Sequence, residues 1–155
     1  DGYRLPTEME WMWAAMGATG TGTNTTGYKM GYAGSTEAAG AQVNIGNYAW
    51  YSGTVSDSKT RPVGTKTANV LGLYDMNGNV GEWCWDWYKD SYPTGANTDY
   101  WETTPTLQSP TPGYKCRVAR GGFWCSPADN CTVAYRGVYY PDEETPYYGF
   151  RVVRR

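Results

Sequence analysis

The chain of 155 residues has no histidine, only two phenylalanines, and no apolar run near the ~20 residues that a membrane-spanning helix needs. Each absence closes a class of function. Without His there is no imidazole ligand for a metal and no imidazole general base. Charge is also sparse: 13 basic against 15 acidic residues leave a net charge of −2 and no dense basic stripe, which argues against nucleic acid as a partner. Long helices are not expected, because twenty Gly and nine Pro interrupt the chain throughout.

What the chain does have is amphipathic aromatics, eight Trp and fifteen Tyr, which need polar partners as well as packing. Its length suits one domain with a real core. The clearest local signal is Thr7-Glu8-Met9-Glu10, a capping box that opens a helix ended by Gly17, with Met9, Met12, Trp13 and Met16 on one face. Residues 18–40 and 91–114 read as irregular, rich in Gly, Thr, Asn, Ser and Pro. Val70, Leu71 and Leu73 suggest a short strand before an Asn77-Gly78 turn. Trp83, Trp85 and Trp87 fall at strand spacing, and further strands are expected at Val118 and at Phe150–Val152.

The segment from Arg120 to Arg155 carries most information. Trp124, Arg136, Phe150 and Arg151 read as a frame, and the Tyr-, Asp-, Ser- and Pro-rich patches between them read as recognition surface. Tyr offers wide contact area with few rotors to freeze, and Ser and Gly adapt around it. In particular Tyr139, Tyr140, Tyr147 and Tyr148 are expected to form one exposed patch.

Several ordered blocks also carry a resemblance. They are Tyr3-Arg4-Leu5-Pro6-Thr7-Glu8, Glu10-Trp11, Gly72-Leu73-Tyr74-Asp75-Met76-Asn77-Gly78-Asn79-Val80, Glu82-Trp83-Cys84, Arg120-Gly121-Gly122 and Gly149-Phe150-Arg151. Together they resemble the formylglycine-generating-enzyme, or sulfatase-modifying-factor, domain, a variant of the C-type lectin fold. The resemblance implies an irregular, loop-rich α+β fold with few regular elements. It also implies that residues 1–155 are the C-terminal part of a single such domain.

Catalytic members of that family carry paired copper-binding cysteines, and Cys125 and Cys131 lie in the corresponding region. Here they are separated by five residues where the catalytic pattern has four, and the family's Ser after Gly-Gly is Phe123. No catalytic residue and no required cofactor are therefore assigned. The four cysteines allow three complete pairings, and the sequence does not choose among them. By resemblance, Cys84 and Cys131 serve the core. The resemblance also implies a structural Ca²⁺ held by Asn79, Val80 and Glu82, with oxygen donors in a turn as that ion prefers. The family's usual Trp before Glu-Trp is Gly81 here, leaving space for another side chain such as Phe123. The Glu-Pro-Asn or Gln-Pro-Asp and Trp-Asn-Asp motifs of sugar-binding lectins do not occur.

In many non-catalytic family members the stretch between Gly-Gly and Gly-Phe-Arg is rich in Asn. Here the corresponding positions, within about 123–148, hold Phe123, Cys125, Ser126, Pro127, Asp129, Tyr135, Gly137, Val138, Tyr139, Tyr140, Tyr147 and Tyr148. Each of these is reachable from an Asn codon by changing only its adenines. Lys, Gln and Met, which are not reachable from AAC or AAT that way, are absent between Gly122 and Gly149. The pattern resembles the variable proteins of diversity-generating retroelements. It implies a cell-surface or exported protein that binds a protein or other macromolecular ligand through these twelve residues. The alternatives are a formylglycine-generating oxidase and an undiversified binding or structural domain of the same family.

Overall fold

The computed structural model describes residues 2–17, 31–35, 44–55, 57–92, 100–105 and 114–154. Most of 18–40 and of 91–114, expected to be irregular, lies outside the described residues. The described regular elements are few: β1 (Tyr3–Arg4), α1 (Glu8–Ala15), β2 (Gly81–Trp87), β3 (Arg117–Arg120), β4 (Gly137–Tyr139), β5 (Tyr148–Gly149) and β6 (Val153–Arg154), with 3-10 turns at Ile45–Asn47 and Ala128–Cys131.

The capping box forms as its residues dictate. Glu10 N–H donates to Thr7 Oγ1 at 3.2 Å while Thr7 N–H donates to Glu10 Oε2 at 2.8 Å. Arg4 then grips the same carboxylate at 2.6 and 2.7 Å, which holds it down at a pKa of about 2. Gly17 stops the helix at φ +74°, a left-handed conformation that favours Gly. The buried face differs from the expected one. Glu8, Trp11 and Ala15 point inward, whereas Met9 and Trp13 are exposed. The cause is polar: Trp11 Nε1 donates to Glu82 Oε2 at 2.6 Å, and Glu8 is drawn onto two buried-side arginines, so hydrogen bonding fixes the helix rotation that apolar spacing alone misplaces.

The main sheet runs β4-β3-β2-β5, with β2 antiparallel to β3, β3 antiparallel to β4, and β5 parallel to β2. Its register sets Gly81 opposite Tyr148 and Ala119 opposite Gly137. A separate pair, β1 and β6, joins the two ends of the chain, Tyr3 to Arg154 and Arg4 to Val153. Helix α1 packs its Trp11 and Ala15 with Met76, Cys84, Val118 and Val133 into the core.

Two expected strands are absent among the described residues. At 70–73 the chain turns, because Asn69 Oδ1 accepts from Leu71 and Leu73 N–H while its amide donates to the Ala14 carbonyl at the end of α1. Val70 and Leu71 are left exposed. Phe150–Val152 lies between β5 and β6, and Phe150 is 69% exposed, so it does not hold the frame. Arg151 does, through Glu82.

Candidate functional site

The turn Asn77–Gly78–Asn79 feeds β2 and is consumed from within. Gly78 sits at φ +70° with its N–H on the Gly121 carbonyl, and a Cβ there would overlap the Trp50 carbonyl. Asn77 binds both backbone groups of Ala33 at 3.2 Å. Asn79 does the same for Arg61, accepting from its N–H at 2.9 Å and donating to its carbonyl at 3.2 Å. Glu82 accepts from Trp11 and from Arg151 Nε, each at 2.6 Å, and from Arg151 Nη2 at 2.5 Å.

Asn79, Val80 and Glu82 therefore do not fit a Ca²⁺ in this arrangement. The carboxylate already carries a guanidinium and an indole N–H, and the Asn79 amide is spent on the two backbone groups of Arg61. A divalent ion would have to displace Arg151, a like-signed neighbour. No group of three or more Cys, Asp or Glu side chains is gathered for a metal among the described residues.

The cysteines are arranged for packing. Cys84 and Cys131 have no exposed surface, while Cys125 is exposed. Burial pushes the Cys131 thiol up to about 12 and also raises Cys125. Cys131 packs on Ile45 and Ala49.

The twelve residues expected to form the recognition surface separate into two kinds. Phe123, Tyr139, Tyr147 and Tyr148 converge, although they come from separate parts of the chain. Ring centroids lie 5.0 Å apart for Phe123–Tyr147, 5.9 Å for Phe123–Tyr148 and 4.5 Å for Tyr139–Tyr148. Trp83 from β2 lies 5.0 Å from Tyr148, and Trp124 lies 5.6 Å from Tyr147. Tyr140 stands apart, against Tyr114 at 5.2 Å. All four tyrosines are half-buried rather than freely exposed: Tyr139, Tyr147 and Tyr148 are covered within the Phe123–Trp83–Trp124 aromatic cluster and Tyr140 by Tyr114, so they do not form one exposed patch. Cys125, Pro127 and Asp129 are exposed on the adjoining turn, and Tyr135 and Val138 are half-buried.

Ser126 and Gly137 do interior work. Ser126 is 2% exposed and its hydroxyl accepts from Phe123 N–H at 3.1 Å. Gly137 is buried, and a Cβ there would stand 2.9 Å from the Ala119 carbonyl. Tyr148 has a double character. Its ring occupies the space over Gly81, 2.9 Å from where a Cβ would be, so Tyr148 and not Phe123 fills the room left by the absent Trp. Burial first, then hydrogen bonding with Tyr139, raises the Tyr148 pKa, and burial pushes Tyr135 up to about 12, so both Tyr148 and Tyr135 stay protonated at neutral pH.

Behind the surface lies a buried ionic knot that the sequence reading missed. Glu8 takes Arg136 on both oxygens at 2.7 Å, and Arg120 Nε stands 2.9 Å from Glu8 Oε1, an ion pair too far off line for a hydrogen bond. The available signal was a charged residue inside a capping box (Glu8), with Arg120 and Arg136 flanking an otherwise base-free stretch. Arg117 was missed too; its guanidinium lies 4.0 Å over the Trp87 ring, with a second contact to Trp85.

A family model described as the sulfatase-modifying factor enzyme 1-like domain matches residues 2–155. A chaperone protein LppX of Paenibacillus barcinonensis is 34% identical over 160 residues, covering 99% of this chain and 50% of the relative. A formylglycine-generating enzyme of Streptomyces coelicolor is 33% identical over 165 residues, covering 97% of this chain and 46% of the relative. Among solved structures, Treponema denticola variable protein 1 matches with a TM-score of 0.75 and 38% identity, over 97% of this chain and 47% of that one. The chain thus spans half or less of the length of these relatives.

Proposed function

The chain belongs to the sulfatase-modifying factor enzyme 1-like domain family, with its loop-rich, mostly-sheet fold of C-type lectin type, and from that premise we propose that it is a ligand-binding display domain whose surface is diversified, not an oxidase. The observation that carries this is the convergence of Phe123, Tyr139, Tyr147 and Tyr148 on one aromatic surface, with Cys125, Pro127 and Asp129 beside it. Aromatic anchors on a rigid support lower the entropy cost of binding and dominate interface energy. The likeness to a variable protein supports the same reading. The partner is a protein or another macromolecule, and the setting is the cell surface or outside the cell. No helix among the described residues is long and apolar enough to cross a membrane.

Support for the absence of oxidase chemistry comes from the thiols. Cys131 is buried, Cys125 is exposed, five residues separate them, and Phe123 stands where the family resemblance sets the Ser of catalytic members. A sulfatase-type cysteine peptide supplied with copper should show no conversion to formylglycine; turnover that disappears on Cys131→Ser would overturn this reading.

Diversification is tested at the gene. The expected finding is a near-identical repeat beside a reverse-transcriptase gene, differing from the coding copy mainly at adenines of the twelve codons other than those of the interior Ser126 and Gly137. Flanks without such a repeat, and twelve invariant positions across independent isolates, contradict it.

A further inference from the structure

Burying the Glu8–Arg120–Arg136 knot does little for stability on general grounds, since desolvating charges offsets most of their attraction. Its geometry suggests a different use. Arg120 is fully buried, yet its Nη1 is shared among three consecutive carbonyls, those of Val133 and Ala134 at 3.2 Å and Tyr135 at 2.6 Å. Residues 133–135 belong to no strand, so these carbonyls have no ladder partner and must be satisfied otherwise. The other arms of Arg120 are fixed by Glu8 Oε1 at 2.9 Å and by the Tyr92 hydroxyl at 2.8 Å. The next residue, Arg136, is fixed by the same carboxylate.

We propose that Arg120 is a positioning residue for the binding surface: from the end of β3 it sets the backbone path into Tyr135–Tyr139, and so sets where those side chains are presented. The inference rests on the reading above that the 123–148 surface binds ligand. Its particular content is that the contacts Arg120 makes to residues 133–135 are to backbone oxygens alone. They are indifferent to the side chains at 133–135, so the path is held while the surface changes. Lys cannot replace this function, because a single ammonium on a flexible stem cannot reach Glu8, Tyr92 and three carbonyls together.

The test uses the intact chain and antibody-mimetic domains selected on it, kept only where Tyr147→Ser abolishes their binding. Arg120→Lys is compared with Val118→Ala, a core truncation at a fully buried position in the same strand. Arg120→Lys should remain folded, lose at least tenfold in affinity, and speed amide exchange across 134–139. Val118→Ala should lower the unfolding midpoint at least as far yet bind within about twofold of the parent. Should Arg120→Lys not fold, Glu8→Gln decides, with an expected loss of at least threefold in a folded chain. Parental affinity in the deciding variant, or an equal loss in Val118→Ala, overturns the positioning role and leaves the surface reading standing. A selection in which no binding domain depends on Tyr147 overturns both.

Discussion

Gly81 and Tyr148 face each other across one parallel register, yet the two stretches they belong to are built in opposite ways. From Asn77 to Glu82 the polar side chains are spent inward: Asn77, Asn79 and Glu82 are at most 5% exposed and each makes two or more hydrogen bonds. From Phe123 to Tyr148 it is the backbone that is held. Trp124 N–H donates to the Asn79 carbonyl, Gly81 N–H to the Tyr147 carbonyl, and Ser52 N–H to the Ser126 carbonyl. Where side chains carry the bonds, sequence is constrained. Where main-chain atoms carry them, sequence is free to vary while the path is kept.

The sharpest way to break that contrast is to attack its constrained side. Trp11→Ala should cost about 3–5 kcal/mol, because it empties the core beside Met76 and leaves Glu82 short of a donor. Unfolding midpoints in denaturant give the value. Glu82→Gln should cost about 3 kcal/mol by leaving Arg151 without its charge partner. On the parent, neither Ca²⁺ nor a chelator should move the melting temperature. A rise with Ca²⁺ that vanishes in Glu82→Gln would place an ion where the structure sets Arg151.

The seam between the two regions is tested next. Gly81→Ala brings a Cβ to within 2.9 Å of the Tyr148 ring, and should cost about 1–3 kcal/mol by overpacking. Tyr148→Ser should recover much of that loss in the double variant, a coupling that a mutant cycle measures directly. Additive effects would separate Tyr148 from the room left at Gly81.

The smallest effect is electrostatic. Arg4 holds Glu10 down at a pKa of about 2 against an ordinary 4.5. A depressed carboxylate contributes stability that is complete above the unfolded pKa and is lost as pH falls from about 4.5 towards about 2. The pair is partly exposed, so the effect is modest. Glu10→Gln should flatten that part of the melting-temperature profile; an unchanged slope would show the contact contributes nothing to folding.

Much of this was legible beforehand for local reasons. A capping box depends on four neighbouring residues, and Thr7 to Glu10 forms as written. Gly17 ends α1, and the alternating Trp residues mark β2. What failed was decided by distant partners. The rotation of α1 follows Glu82, 71 residues away, and Glu8 finds Arg136 at a separation of 128. Val70–Leu73 is claimed by Asn69, whose side chain turns the chain more effectively than three apolar residues extend it. Between Phe123 and Tyr148, Ser126 and Gly137 have residue types suited to an adaptable surface, but only packing reveals that both are interior.

If residues 123–148 separate displayed side chains from a held backbone, tolerance to substitution must alternate along the segment. Every residue from Phe123 to Tyr148 can be replaced singly by all others, and each variant scored for folded yield on a cell-display platform, with no ligand required. Broad tolerance is expected at Phe123, Cys125, Pro127, Asp129, Val138, Tyr140 and Tyr147, where substitutions should shift stability by about 1 kcal/mol or less. Intolerance is expected at Trp124, Ser126, Cys131, Arg136 and Gly137. Equal intolerance along the whole segment, or free replacement of Trp124 and Arg136, would contradict that separation.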